Sequence, residues 1–160
     1  MKQRAFRRTA RVTGIGLLAL CLAQCTPQKV DGTSEQLTET VDSFAYHYFN
    51  YHLKQASRFC TEESQKWLDF LASNIEQGDV DLLREQENEA EITHDEIQLQ
   101  ESDTTKTIHL TVRNHLVKDS IGKVGRMVRK SDYSIQTVKL GGKWFIRMEG
   151  PLRSEKRSRD

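Results

Sequence analysis

An α+β domain, with helices first and an antiparallel sheet of about four strands after them, is what three features of this 160-residue sequence predict. Apolar residues from Leu37 to Leu83 recur at steps of three and four, the period of a helix buried on one face. From Ile92 onward the period drops to two, the alternation of a half-buried strand. Leu140-Gly141-Gly142-Lys143 then gives a two-residue hairpin signal between two such stretches. Helices that precede a meander pack on one face of it, so the sheet is expected to curve around them.

The helical half reads as follows. Thr33 with Gln36 three residues on has the spacing of a capping box. Leu37, Val41, Phe44, Ala45, Tyr48, Phe49, Tyr51 and Leu53 then trace one helix face, which continues through Ala56, Phe59 and Cys60. Thr61, followed by Glu62 and Glu63, has the form of a fresh N-cap with acids where the helix dipole favours them. The second helix carries Trp67, Leu68, Phe70, Leu71 and Ile75 and is expected to stop near Gly78. A third helical piece from Asp79, with Val80, Leu82 and Leu83, fades into the acidic stretch from Glu85 to Glu91.

In the sheet half, residues 92–101 alternate weakly, with Ile97 and Leu99 on one face. Ser102-Asp103-Thr104 is a turn. Over 106–117, Ile108, Leu110, Val112 and Leu116 face one way; Thr107, His109, Thr111, Arg113 and His115 face the other. After a turn at 119–122, residues 123–139 form a long strand or two shorter ones, with a conflict in the pattern. Val124 and Val128 are even-numbered, Tyr133 and Ile135 odd-numbered, and a slip of one residue flips every side chain. A β-bulge or break near Ser131-Asp132 would restore one apolar face and bend the sheet. Trp144, Ile146 and Met148 close the last strand before Gly150-Pro151.

Ahead of the domain lies a leader. Lys2, Arg4, Arg7, Arg8 and Arg11 precede an apolar run of about eleven residues, Val12 to Leu22, too short to span a bilayer. Leu22-Ala23-Gln24-Cys25 follows and resembles the lipobox of bacterial lipoproteins, with Gln24 standing where a Gly, Ala or Ser is usual. The resemblance implies cleavage between Gln24 and Cys25 and a diacylglycerol thioether, joined by a further acyl chain such as palmitate, on Cys25. The alternative is ordinary secretion after a different cut. The segments expected are a signal peptide over 1–24, a lipidated tether over 25–34, the α+β domain over 35–150 and a polar tail over 151–160. Localisation would be the bacterial envelope, lipid-anchored to a periplasm-facing membrane or the cell surface. Cys21 would leave with the leader and Cys25 would carry lipid. Cys60 would then remain without a disulfide partner and, following Phe59 on an apolar face, be buried.

The formal net charge of +1 divides into this basic leader and a body, from Cys25 onward, of 19 basic and 23 acidic residues. That balance argues against nucleic acid as a partner. Among sites, the row His109, Arg113 and His115, with Thr107 and Thr111 between, is the pocket candidate; alternate strand residues share a face, and a His there is a plausible general base. The competing reading is an ordinary solvated sheet face. His47 and His52, five apart on a helix and so about 140° around it, do not make a metal pair, and His94 has no partner at ligand spacing. No metal site, cofactor or catalytic residue is assigned.

The order of elements, the segment Ala56-Ser57-Arg58-Phe59-Cys60-Thr61-Glu62-Glu63-Ser64 and the closing Val138-to-Ile146 hairpin resemble the cystatin-like, nuclear transport factor 2-like fold, over about residues 35–148. They are similar to small bacterial lipoproteins of unknown function built on that cone. The resemblance implies a membrane-anchored binding or accessory domain. Its enzymatic counterpart is the ketosteroid-isomerase or polyketide-cyclase kind, with an Asp or His base and a Tyr or acidic partner deep in the cone. A closed apolar interior would favour the binding domain, and an open pocket holding His109 or His115 beside an acid would favour the enzyme.

Overall fold

The structure, a computed structural model, describes residues 32–155. The expected signal peptide with Gln24, Cys25 and most of the expected tether lie outside the described residues, as do 156–160. Helix α1 spans Ser34–Phe49, and Thr33 caps it by accepting the Gln36 N–H at 3.2 Å. Gln36 does not complete the capping box. Its Oε1 takes the backbone N–H of Trp144 at 2.9 Å, and its Nε2 lies 2.8 Å from Thr40 Oγ1. The side chain that local spacing assigns to the cap instead fastens α1 to the last strand. Leu37, Val41, Phe44 and Ala45 are fully buried.

The expected continuation of this helix to Cys60 is broken. The chain turns at Asn50 and Tyr51, the latter at φ 59°, before the short helix α2 (Leu53–Ala56) and a 3-10 turn, Ser57–Phe59. Leu53, Ala56 and Cys60 are nonetheless buried, because apolar spacing records which residues meet the core and not whether the chain bends between them. Thr61 precedes a 3-10 turn, Glu62–Ser64. Its hydroxyl lies 2.8 Å from Ser64 Oγ, which in turn accepts the Met148 N–H at 2.8 Å.

Helix α3 (Gln65–Ser73) stops before Gly78, which lies inside helix α4 (Gln77–Glu85). A glycine is needed there, since a Cβ would stand 2.7 Å from Val124 Cγ2. Glu76 and Asp79 form a reciprocal capping box at the start of α4.

The fold is α+β: these helices and a four-stranded antiparallel sheet in the order β1 (Glu91–His94), β2 (Thr105–Val117), β3 (Arg126–Leu140) and β4 (Lys143–Arg147). β1 is shorter than the 92–101 alternation suggests; residues 95–100 leave the ladder, although Ile97 still reaches the core. Gly141 and Gly142, both at positive φ, make the closing hairpin turn as expected.

No bulge occurs near Ser131-Asp132. Val112 opposes Ser131 and Thr111 opposes Asp132, in the register that runs from Thr105↔Val138 to Val117↔Arg126. The irregularity lies on the neighbouring strand, at Asn114, whose φ of 49° takes it out of pairing with Arg129. There the alternation of β2 reverses. Val112 is buried, Arg113 and Asn114 are exposed, and His115 and Leu116 are both buried. The conflict within 123–139 has a second answer too: Val124 is in the loop before β3 and mostly exposed, so it does not share the face of Tyr133 and Ile135.

The expected polar tail begins as a packed segment. The Leu152 N–H donates to the Tyr48 hydroxyl at 3.0 Å and the Glu155 N–H to the Asp132 carbonyl at 2.8 Å.

Two outcomes follow from this packing. Asn114→Val forces a β-branched residue into the left-handed region and should cost about 1–3 kcal/mol in denaturant unfolding, while Asn114→Gly should stay within about 0.5 kcal/mol of the parent. Wild-type-like stability of the Val variant would contradict the reversal at Asn114. Cys60 is buried and its thiol is pushed up to about 12 by burial, so it should resist bulky thiol reagents until the chain unfolds; fast labelling of folded protein would contradict that.

Candidate functional site

The row expected on one face of β2 is divided by Asn114. His109 and Arg113 lie on the solvent side, whereas His115 is fully buried on the core side. The left-handed Asn114 breaks the strict alternation of the strand, and after it both His115 and Leu116 are buried.

His115 Nε2 lies 2.8 Å from the Tyr133 hydroxyl, and the Phe49 ring meets the imidazole edge-on at 5.5 Å. Its Nδ1 is buried with no protein partner. Burial, with the Arg126 charge adding to it, lowers the imidazole to about 4, and burial raises Tyr133 to about 12 despite a hydrogen bond with Ser131. At neutral pH the pair is an uncharged imidazole against an uncharged phenol. Among the described residues no carboxylate is hydrogen-bonded to either group, so a proton taken by His115 has no such anion to stabilise the charge. Tyr133 was not among the candidates from sequence, where its odd-numbered alternation marks it only as core.

On the outer face, His109 Nδ1 lies 2.8 Å from Ser134 Oγ and 3.4 Å from Glu155 Oε1, and Ser134 also hydrogen-bonds Glu155. The residue types are those of a catalytic triad, but the arrangement is not. One ring nitrogen faces both partners, whereas a triad orients its imidazole through the two nitrogens separately, and the His109 side chain is 74% exposed. Arg113 stands between Glu91 of β1 and Lys130 of β3 in the ladder, an exposed cross-strand position.

His47 and His52 come closer than one continuous helix would bring them. The turn at Asn50 and Tyr51 puts their rings 5.8 Å apart, beside Tyr46 and Phe59. Burial, followed by the charges of His52 and Arg58, lowers His47. His94 Nε2 lies 2.9 Å from Asp42 Oδ1. Among the described residues, no group of three or more His, Cys, Asp or Glu side chains is placed to hold a metal ion.

A second buried polar group joins α4 to the β2–β3 loop. Asp79, with no exposed surface, accepts from Lys118 Nζ at 2.5 Å, the Gly125 N–H at 2.6 Å and the Glu76 N–H at 2.8 Å. Burial alone would raise its carboxyl; Lys118 and the two N–H donors outweigh that and hold it below the usual carboxylate value. The sequence signal for Asp79 is its place three residues after Glu76.

Clefts open elsewhere. One of about 590 Å³ lies between Trp67 and Leu140, and one of about 380 Å³ between Tyr51, His52 and Glu89. Others, of about 400 and 500 Å³, lie beside Asn114 and beside His94. None of these four is lined by His109, Arg113, His115 or Tyr133. No protein-family model, curated protein or solved structure matches the chain.

The titrating groups define two pH windows. The unfolded chain protonates His115 near 6.5 and the folded chain near 4, so the neutral ring stabilises the fold fully above 6.5 and less as pH falls toward 4. The loss should be on the order of 2 kcal/mol once solvent screening is allowed for. Asp79 is also shifted downward, so its contribution is present above 3.8 and is lost only as pH falls below that value. Thermal unfolding followed from pH 7 to 4.5 should therefore show a decline that His115→Gln flattens; an equal slope in the variant would remove His115 as its source.

Proposed function

We propose that the chain is an exported lipoprotein of a bacterial envelope, held to a membrane by lipid on Cys25 and carrying a non-catalytic binding or accessory domain. The observation that carries the non-catalytic part is the state of His115. It is buried, neutral and, among the described residues, without a carboxylate partner, and the four clefts described above are lined by other residues. An antiparallel meander with α1 against it is compatible with the cystatin-like, nuclear transport factor 2-like cone, which we propose as the finer description of the fold.

Support for the anchor comes from the leader: five basic residues, a short apolar run, then Leu22-Ala23-Gln24-Cys25. Among the described residues no helix is long and apolar enough to cross a membrane, so membrane attachment in this reading falls to the lipid. Two or more acyl chains give firm attachment where one gives only marginal binding.

A second reading, a small enzyme of the ketosteroid-isomerase or polyketide-cyclase type, has one observation in its favour, the His115–Tyr133 pair inside the fold. It requires the interior to open to a substrate. Soaking or titration with planar hydrophobic ketones that perturbed the ring signals of His115 and Tyr133 would favour it over the binding domain.

The anchor is tested directly. In a bacterial host, the parent chain should fractionate with membranes and take up a palmitate label, and Cys25→Ser should be unlabelled and either soluble or unprocessed. A mature N-terminus that is unmodified and lies elsewhere would defeat the proposal.

A further inference from the structure

The charge of the described domain is unevenly placed. Residues 118–130 hold five basic side chains and one acid, Asp119, while the remaining described residues hold ten basic against twenty acidic. This segment is the β2–β3 loop with the start of β3, one end of the longest hairpin in the fold. The acidic total of the body conceals it in the sequence, where the basic residues are spread among apolar ones.

The same segment carries three of the large apolar side chains that the domain leaves exposed: Ile121 at 70%, Val124 at 54% and Met127 at 37%. Lys123, Arg129 and Lys130 are exposed around them. Apolar side chains at a tip, rimmed by cations, are costly in water and favourable at the boundary between lipid headgroups and acyl chains. A soluble polyanion would satisfy the cations and leave Ile121 and Val124 in water.

The loop is also built to hold its form. Lys118 is drawn inward to Asp79 and donates to the Lys123 carbonyl at 2.7 Å. The Gly125 N–H is held by the other Asp79 oxygen, Arg126 closes on Asp119 at 2.7 Å, and Val124 rests where Gly78 leaves room. These contacts fix the backbone while Ile121 and Lys123 point away from them into solvent.

We propose that the β2–β3 loop is a peripheral membrane-contact element that seats Ile121 and Val124 in the interface of a bilayer rich in anionic lipid, with Lys123, Arg129 and Lys130 against the headgroups. The proposal stands apart from the anchor at Cys25, because the loop would meet a bilayer whether or not that residue carries lipid.

The test uses the full chain with Cys21→Ser and Cys25→Ser, which removes lipidation, and a solvatochromic maleimide dye on Ser120→Cys. The same dye on Glu101→Cys, in the acidic part of the surface, is the control, and it reports any binding made by the leader alone. With phosphatidylglycerol-rich vesicles the emission at 120 should shift to the blue while that at 101 stays put. The shift should vanish with phosphatidylcholine vesicles, at about 1 M salt, where the Debye length is about 3 Å, and in the Lys123→Glu, Arg129→Glu, Lys130→Glu variant. Equal responses at 120 and 101, or an equal shift with soluble polyphosphate in place of vesicles, would overturn the proposal; the latter would make the loop an anion site and not a lipid contact.

Discussion

A single backbone reversal at Asn114 governs what each face of the sheet presents. An L-residue at φ 49° is permitted chiefly because the short Asn side chain tolerates the left-handed region. The pairing of β2 with β3 resumes in the same register on the far side, so the reversal changes orientation without changing alignment. Up to Val112 the even residues of β2 face the core; beyond Asn114 the alternation is broken, and His115 is buried along with Leu116. The Asn114 carbonyl, released from the ladder, accepts from Gln86 Nε2 at 2.6 Å and so ties the end of α4 to this point.

The buried polar groups follow from that geometry. His115 is turned inward next to Tyr133, and two residues after Leu116 the chain brings Lys118 to Asp79. Such a pair is not in itself a large gain, because desolvating two charges offsets most of their attraction. Removing one partner is costly all the same, about 3–5 kcal/mol, because the other is left buried without its counter-charge. Only one placement of α4 against the loop satisfies the carboxylate, the ammonium and the Gly125 N–H together.

Much of this fold was legible in the sequence, and the failures have a common cause. The helix-to-strand change, the Gly141-Gly142 turn, the burial of Cys60 and the inward faces of Ile108, Leu110, Trp144 and Ile146 follow from spacing, because burial is what spacing records. The site did not follow. Alternation places His115 with His109, and no local signal marks Asn114, since a left-handed Asn in mid-strand looks like any polar residue on an outer face. Gly78 read as a stop because its reason for being glycine, Val124, is 46 residues away in sequence and adjacent in space. Gln36 read as a cap for the same reason: its partner is Trp144. Side chains recruited by tertiary contacts keep the composition of local motifs and change their purpose.

The Gln36–Trp144 clasp has a mechanical meaning. The Gly32 carbonyl accepts from Lys139 Nζ at 3.1 Å and from the Trp144 indole at 3.3 Å, so the chain enters the domain at the turn end of the β3–β4 hairpin. Tension applied ahead of Gly32 would reach α1 and β4 together through these bonds. β4 is a five-residue edge strand, yet Trp144 and Ile146 root it in the core. Load would thus be shared between a few hydrogen bonds in parallel and the extraction of a buried indole. The opposite end of β3, about 45 Å away at the ~3.3 Å rise of a strand, would remain unstrained.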